Sequence, residues 1–437
     1  MRRFCIVLLV LPLTLTSVQA FDFGGYLDNT SGFARSPAGA ETELQLVQST
    51  TLALWIEQKL GAWTLDGRGS YTYTPNIPVL FDVERLAIAA DVPATEAGAT
   101  TFGLTIGRSA YTDPTGMVLA HTLDGMRVRI NRAQSSFGFG IATTALLQKP
   151  TNRIILSRPD ELDLQDEQRR FAPPRLIALV NYELLEAFAG QAVTLGAVVQ
   201  EDLRPADQLT PAGTEGTTPD PGAGGRFDTQ YLSLVVSGAV APGIYQRTYY
   251  SLNSGRHLVF AEDERSSTGF AYQYETFLGH LAGTELTWFL PEALNSRARV
   301  FGQFSTGDTE WSDEFVPLSP TAFSDVFTLQ PGNSAHVGIS YSVRPLAGGK
   351  SDVLQTELST VAYFRSSAGG AVSEAAVDPT SDGAYVGTDV NLTVTAVPLS
   401  DLRFVLKGGL FAPRKDVMSP ENQEVDYQVT LQGVLRF

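Results

Sequence analysis

The sequence predicts an all-β fold, a transmembrane antiparallel up-and-down β-barrel of about 18 strands, with 16 strands as the alternative. Three observations predict it. Segments with one greasy and one wet face recur along the 437 residues with a period of two. The chain ends inside such a segment, DYQVTLQGVLRF, on Phe437. It begins with a short secretory leader, and no apolar stretch elsewhere is long enough for a membrane helix.

The leader is MRRFCIVLLVLPLTLTSVQA. Arg2 and Arg3 precede an apolar run to about Leu15, and small residues lead out through Val18 and Ala20. Cleavage after Ala20 is expected, so residues 1–20 are a signal peptide and 21–437 a single barrel domain. Cys5, the only cysteine, lies in the leader, so no disulfide or cysteine metal site is expected. Without Arg2 and Arg3 the chain has 29 basic and 47 acidic residues, a formal charge of -18. So acidic a chain is no candidate for binding nucleic acid through net charge.

The last strand sets the pattern. Tyr427, Val429, Leu431, Gly433, Leu435 and Phe437 share one face, while Asp426, Gln428, Thr430, Gln432 and Arg436 share the other, with Val434 the exception. In GAWTLDGRGSYTYT, Trp63, Leu65, Tyr71 and Tyr73 oppose Thr64, Asp66, Arg68, Ser70 and Thr72. At about 3.3 Å per residue and a tilt near 40°, Trp63 to Tyr73 spans roughly 25 Å of height, the separation of two aromatic girdles. The same alternation runs through DGMRVRINR, RLIALVNYELL, RARVFGQFS, VLQTELSTVAYF, YVGTDVNLTVTA and DLRFVLKGGLFA. Strands are expected to begin near residues 21, 43, 62, 79, 100, 122, 135, 174, 191, 229, 243, 267, 297, 334, 351, 384, 401 and 424. Two regions make 16 the alternative: 79 to 100 is weakly patterned, and Ser267–Leu290 reads as one overlong strand or an irregular pair. Connections alternate between short ones, as at Leu60, Ala241 and Pro398, and long ones at 149–173, 204–228 and 307–332. That asymmetry predicts short periplasmic turns and long extracellular loops.

Several motifs read as ordinary wall or loop. Gly138 and Gly140 in SFGFGIATTA alternate with Phe137, Phe139 and Ile141 as in a strand, and Thr143 stands where a dinucleotide loop needs its third glycine. The acids of PDELDLQDE do not have calcium-loop spacing and read as a solvated extracellular loop. His121, His257, His280 and His336 are scattered, with no nucleophile and base recognisable together, so no enzyme, cofactor or metal is expected. The cationic residues within strands carry more information. Arg68, Arg127, Arg129, Arg299, Arg403 and Lys407 all lie opposite the apolar face, and toward lipid each would cost about 2–4 kcal/mol near the midplane. They must point inward, either to favour anions in a lumen or to pair with inward Asp66, Glu183, Glu357 and Asp389.

In these features the chain resembles the outer-membrane porins of diderm bacteria. The leader, the alternating strands and the terminal aromatic of YQVTLQGVLRF carry the likeness across the whole mature chain. A narrower likeness, to eighteen-stranded substrate-specific porins and alginate-export barrels, rests on RARVFGQFSTGD at 297–308, where Thr306 replaces a serine before Gly-Asp. The resemblance implies residence in the cell outer membrane among its lipid, export by the secretion translocon, and recognition by the barrel-assembly machinery of a last strand containing Tyr427, Val429, Leu431, Leu435 and Phe437. It implies a channel for small hydrophilic solutes, and the arginines suggest a mild anion preference. The rival readings are a barrel-anchored adhesin or ligand-binding surface protein and, further off, a secreted β-sandwich or propeller.

Overall fold

Backbone hydrogen bonds join eighteen strands into one closed ring. The computed structural model describes residues 21–35, 44–93, 100–205, 224–264, 266–309, 312–319, 321, 324, 326–327, 329–346, 353–368 and 376–437; the leader lies outside them. The first six strands are β1 (Asp22–Arg35), β2 (Leu44–Leu60), β3 (Trp63–Tyr73), β4 (Leu80–Pro93), β5 (Thr100–Thr112) and β6 (Ala120–Arg132). Six more follow: β7 (Ser135–Thr143), β8 (Arg175–Phe188), β9 (Gln191–Asp202), β10 (Gly225–Ala241), β11 (Ile244–Glu262) and β12 (Phe270–Leu290). The last are β13 (Ser296–Ser305), β14 (Ser334–Val343), β15 (Leu354–Arg365), β16 (Tyr385–Leu399), β17 (Leu402–Pro413) and β18 (Asp426–Arg436). The overlong region before Leu290 is the single 21-residue strand β12, which makes the count 18 and not 16.

Each strand pairs antiparallel with its neighbours in sequence, and β18 pairs with β1 from Tyr26↔Arg436 to Arg35↔Tyr427. Gly25 and Phe437 complete the seam: the Gly25 amide donates to the Phe437 carbonyl at 2.8 Å and the Phe437 amide to the Gly25 carbonyl at 3.0 Å. The apolar residue that ends the chain is thus paired on the wall, and no sheet edge is left open.

Which face is outside follows from exposure. Large apolar side chains such as Phe23 (75% exposed), Leu46 (73%) and Phe81 (65%) stand on one face of their strands. So many exposed apolar residues far exceed the patch a soluble monomer tolerates, so the outer face is solvated by lipid. In β18 that face carries Tyr427, Val429, Leu431, Leu435 and Phe437, and the exceptional Val434 faces inward opposite Asp28 and Arg403. Short connections (61–62, 133–134, 189–190, 242–243, 291–295, 400–401) share one end with the paired termini, and the strand ends joined by the long ones (144–174, 203–224, 306–333) are at the other.

One bulge changes what faces the lumen. The β3–β4 register skips Glu84 between Arg68↔Arg85 and Gly69↔Val83, which brings Glu84 and Arg85 to the interior together. This break in the alternation is why 79 to 100 reads weakly in the sequence.

Sidedness can be tested in the last strand. Leu431→Arg, on the outer face between Tyr427 and Phe437, is expected to destabilise the barrel in bilayers by about 2–4 kcal/mol in denaturant unfolding. Gln432→Arg, on the inner face where Gln432 donates to Asp28 at 2.8 Å, should cost well under half as much. Equal costs would contradict the assigned faces.

Candidate functional site

A barrel of 18 strands is too wide for wall side chains to fill, so what narrows it must come from the loops. The first such loop is the β5–β6 connection, residues 113–119, with the turn sequence Asp113-Pro114-Thr115-Gly116. Asp113 is buried and holds the turn in shape. Its Oδ2 accepts from the Thr115 amide (2.8 Å) and hydroxyl (2.5 Å), and its Oδ1 from the Val118 (3.0 Å) and Leu119 (2.9 Å) amides. The loop reaches along the inner wall to β9 and β11. There Arg247 of β11 donates to the carbonyls of Pro114 (3.1 Å) and Thr115 (2.6 Å) while its guanidinium lies 4.9 Å from the Tyr249 ring centre. The Pro114 ring rests on Gly196 of β9, within 2.6 Å of where a Cβ would stand, so only glycine admits it.

The second loop, residues 312–319, meets the first. Leu318 and Ser319 amides donate to the Val118 carbonyl at 2.9 and 3.1 Å, and the Ser319 hydroxyl accepts from the Ala120 amide at 2.7 Å. Tyr231 of β10 donates to the Val316 carbonyl at 2.7 Å. The Phe315 backbone lies against Gly279 of β12, whose Cβ would come within 2.7 Å of the Phe315 Cα. Phe315 and Leu318 are fully buried with Tyr111, Leu119, Leu123, Leu147, Ile154 and Leu281, so the two loops pack onto the inner wall from β5 to β12. On the other side Phe327 stacks on Phe411 of β17 at 4.0 Å and meets Tyr363 of β15 edge-on at 5.3 Å. Residues 307–332, expected to be extracellular, therefore place 312–319 inside the barrel, because the apolar run around Phe315 finds cover there.

The acidic stretch is only in part the solvated loop its composition suggests. Residues Arg158–Gln165 form helix α1, and Asp160 is 1% exposed. Its carboxylate meets Arg175 and Arg204, each at 2.6 Å, and also accepts from the Leu156 and Ser157 amides at 2.8 and 3.0 Å. Asp202 bridges the same arginines at 3.1 and 2.5 Å, and Asp163 adds a contact to Arg204 at 3.1 Å. Burial opposes the charge on Arg204, but the Asp202 hydrogen bond and the charges of Asp160, Asp202 and Asp163 outweigh it and raise its pKa. Asp160 and Asp163 find buried arginines in this way and tie α1 to the rims of β8 and β9, while Asp166 and Glu167 stay exposed.

The inward cations divide into two groups. Arg68 lies 4.0 Å from Glu84, and Arg299 lies 3.7 Å from Glu285 and 4.4 Å from the Phe301 ring centre. Arg68 also stands directly across from Arg85, a like-charge pair offset by Glu84 and by Asp66, which holds Arg85 at 2.6 Å. Glu357 is taken by Arg297 at 3.3 Å. Lys407 and Arg403 face the interior from β17. Arg127 donates to the Ala110 carbonyl at 3.1 Å and lies 5.8 Å from the Tyr111 ring centre, and Arg129 is the next inward residue of β6. Among the described residues, neither of these two nor Arg403 has an acid within ion-pair distance, nor does the inward Glu183 have a cation. Asp389 faces inward but is fully buried, 3.4 Å from the Tyr363 hydroxyl, and so lies under the lining and not on it. Sequence reading missed Asp113, Arg247, Arg85, Arg175 and Arg204. Only the first had a legible signal, the Asp-Pro-Thr-Gly turn.

No family model matches the sequence, and no curated protein matches it. Solved structures do. OccK2 (OpdF) of Pseudomonas aeruginosa, in complex with glucuronate, is similar with a TM-score of 0.56 and 12% identity, over 95% of this chain and 96% of that one. The fold is that of the 18-stranded outer-membrane porins. OpdQ of the same organism is similar at a TM-score of 0.56 and 11% identity, over 96% and 99% of the two chains. The outer-membrane protein opdK gives 0.54 and 12%, over 95% and 99%. At such identities the likeness to these porins is one of fold, and the residues that narrow this barrel's lumen have to be read from its own chain.

Two measurements test the loop anchors. Arg247→Ala removes two charge-assisted hydrogen bonds, each worth about 1.5–3 kcal/mol, and is expected to give larger, noisier single-channel currents; unchanged currents would show that the loop is held without it. Burial pushes the Glu314 carboxyl above the ordinary carboxylate range, with Arg226 opposing and Asp308 reinforcing the shift. A raised acid pKa favours the packed loop at low pH and weakens it as pH rises through that value. Channel noise should therefore grow from acid to neutral pH, and Glu314→Gln should flatten the dependence.

Proposed function

We propose that this chain is an outer-membrane channel through which small hydrophilic solutes diffuse, with a mild preference for anions. The observation that carries the reading is a closed 18-strand barrel whose bore is narrowed from inside by residues 113–119 and 312–319. A wall built only to anchor surface loops would need far fewer strands and no internal constriction. The glucuronate complex of OccK2 supports a fold that admits small polar, anionic solutes. No catalytic role forms part of this reading, nor does any cofactor.

The anion preference rests on Arg127, Arg129 and Arg403, inward cations without an acid within ion-pair distance among the described residues. Against them stands a formal charge of -18 for residues 21–437, much of it in the long loops. Loop charges farther than about 8 Å from the ion path are largely screened at physiological salt, while charges in a narrow lumen are screened less. The wall therefore sets the field. Export through the secretion translocon and insertion by the barrel-assembly machinery belong to the same proposal, supported by the leader and by the outward row of β18 that ends on Phe437.

Reversal potentials across planar bilayers in a salt gradient test it. The expected result is a small anion preference that falls when Arg127 and Arg129 are both changed to Gln. Cation preference unaffected by that double change would assign these arginines to the wall alone.

A further inference from the structure

The outer wall contains a group that lipid does not account for. Asn29 and Ser31 of β1 lie on the same outward face as Leu27 and Phe33, and Gln48 and Thr50 of β2 lie between the outward Leu46 and Leu52. The register sets Asn29 opposite Thr50 and Ser31 opposite Gln48. The four side chains bond to one another: Asn29 Nδ2 donates to Thr50 at 2.8 Å, the Ser31 hydroxyl contacts Asn29 Oδ1 at 3.0 Å and Gln48 Oε1 at 2.7 Å, and Gln48 Nε2 donates to Thr50 at 3.3 Å.

Their depth is fixed by the seam. Asn29 is four residues along β1 from Gly25, the partner of Phe437, so it stands roughly 10 Å above that end in a band about 25 Å tall. The quartet is therefore within the hydrocarbon. Each amide NH₂ has two N–H groups, and the quartet employs one of each, so one N–H of Asn29 and one of Gln48 remain directed away from it. Acyl chains offer no acceptor, and headgroups lie at the two ends of the band.

We propose that the β1–β2 wall is a self-association face on which a second copy of this chain docks, related by a two-fold axis along the membrane normal. Two copies inserted in the same orientation carry the quartet at the same depth, so donors meet acceptors without adjustment. Any other partner would need its own polar row at that level. Amides are self-complementary, as an isologous contact requires, since the same side chain both gives and accepts. The relief of the wall also suits a close approach: Leu46 and Leu54 project, while Gly433 beside Asn29 and Gly69 beside Leu54 leave hollows.

The test uses the refolded barrel in lipid nanodiscs and in mild detergent, with mass read by sedimentation and closure by heat-dependent gel mobility. The expected result is a dimer that becomes at least roughly tenfold weaker in the double variant Asn29→Leu, Gln48→Leu, by the strength of interhelical-type polar contacts in membranes. Because leucine suits a lipid face, that variant should still close. In the leader-free chain, whose background lacks cysteine, Ser31→Cys should crosslink copies through a short bis-thiol reagent, and Leu234→Cys on the opposite wall should not. A monomeric wild type at high loading would overturn the proposal and leave lipid as the occupant. So would an oligomer unchanged by the double variant, or crosslinking from Leu234→Cys alone.

Discussion

The structure depends on one constraint: in hydrocarbon, a backbone amide or carbonyl without a partner costs several kcal/mol, so the ring of hydrogen bonds has to close. It closes at the reciprocal pair between Gly25 and Phe437 and along the β1–β18 register. Once it is closed, the rest of the chemistry divides by face. Across the lipid band large apolar residues face outward and ionised ones inward, and the described irregular backbone is at the ends or where other protein covers it.

Closing so many strands leaves a bore, and the loops fill it unevenly. One cluster lies against β5 to β12 and another against β15 to β17. The first is held by hydrogen bonds from wall side chains to loop carbonyls as well as by apolar contact, as Arg247 and Tyr231 show. The buried ions at α1 do similar work at the rim, where removing one member would leave the others uncompensated. Inner-wall arginines therefore have three distinct duties: paired within the wall, clamped on a loop, or standing without an acid. The last group is the one on which the proposed anion preference rests.

The wall was largely legible in the sequence and the interior was not, for a physical reason. A strand between lipid and lumen has to alternate at every step, so Trp63 to Tyr73 and Tyr427 to Phe437 announce both their structure and their sidedness. The signal fails where the wall departs from period two, as at Glu84 and Arg85. Loop residues obey no such period. The acids around Asp160 have the composition of a solvated loop, and nothing local shows that Arg175 and Arg204 wait for them. Asp389 is inward by alternation but buried by Phe327, a contact made across about sixty positions of chain, which a period cannot encode.

The glycines under the loops give the wall a second role. Pro114 lies on Gly196 and Phe315 on Gly279, each at a distance that any side chain would forbid. The bore is thus written partly in residues that do not line it. A methyl group added to either strand would lift a loop toward the axis or displace it from the wall, resizing the passage with its lining residues unchanged. Calibre and selectivity can in this way vary independently: one through what the wall omits, the other through the charges it displays.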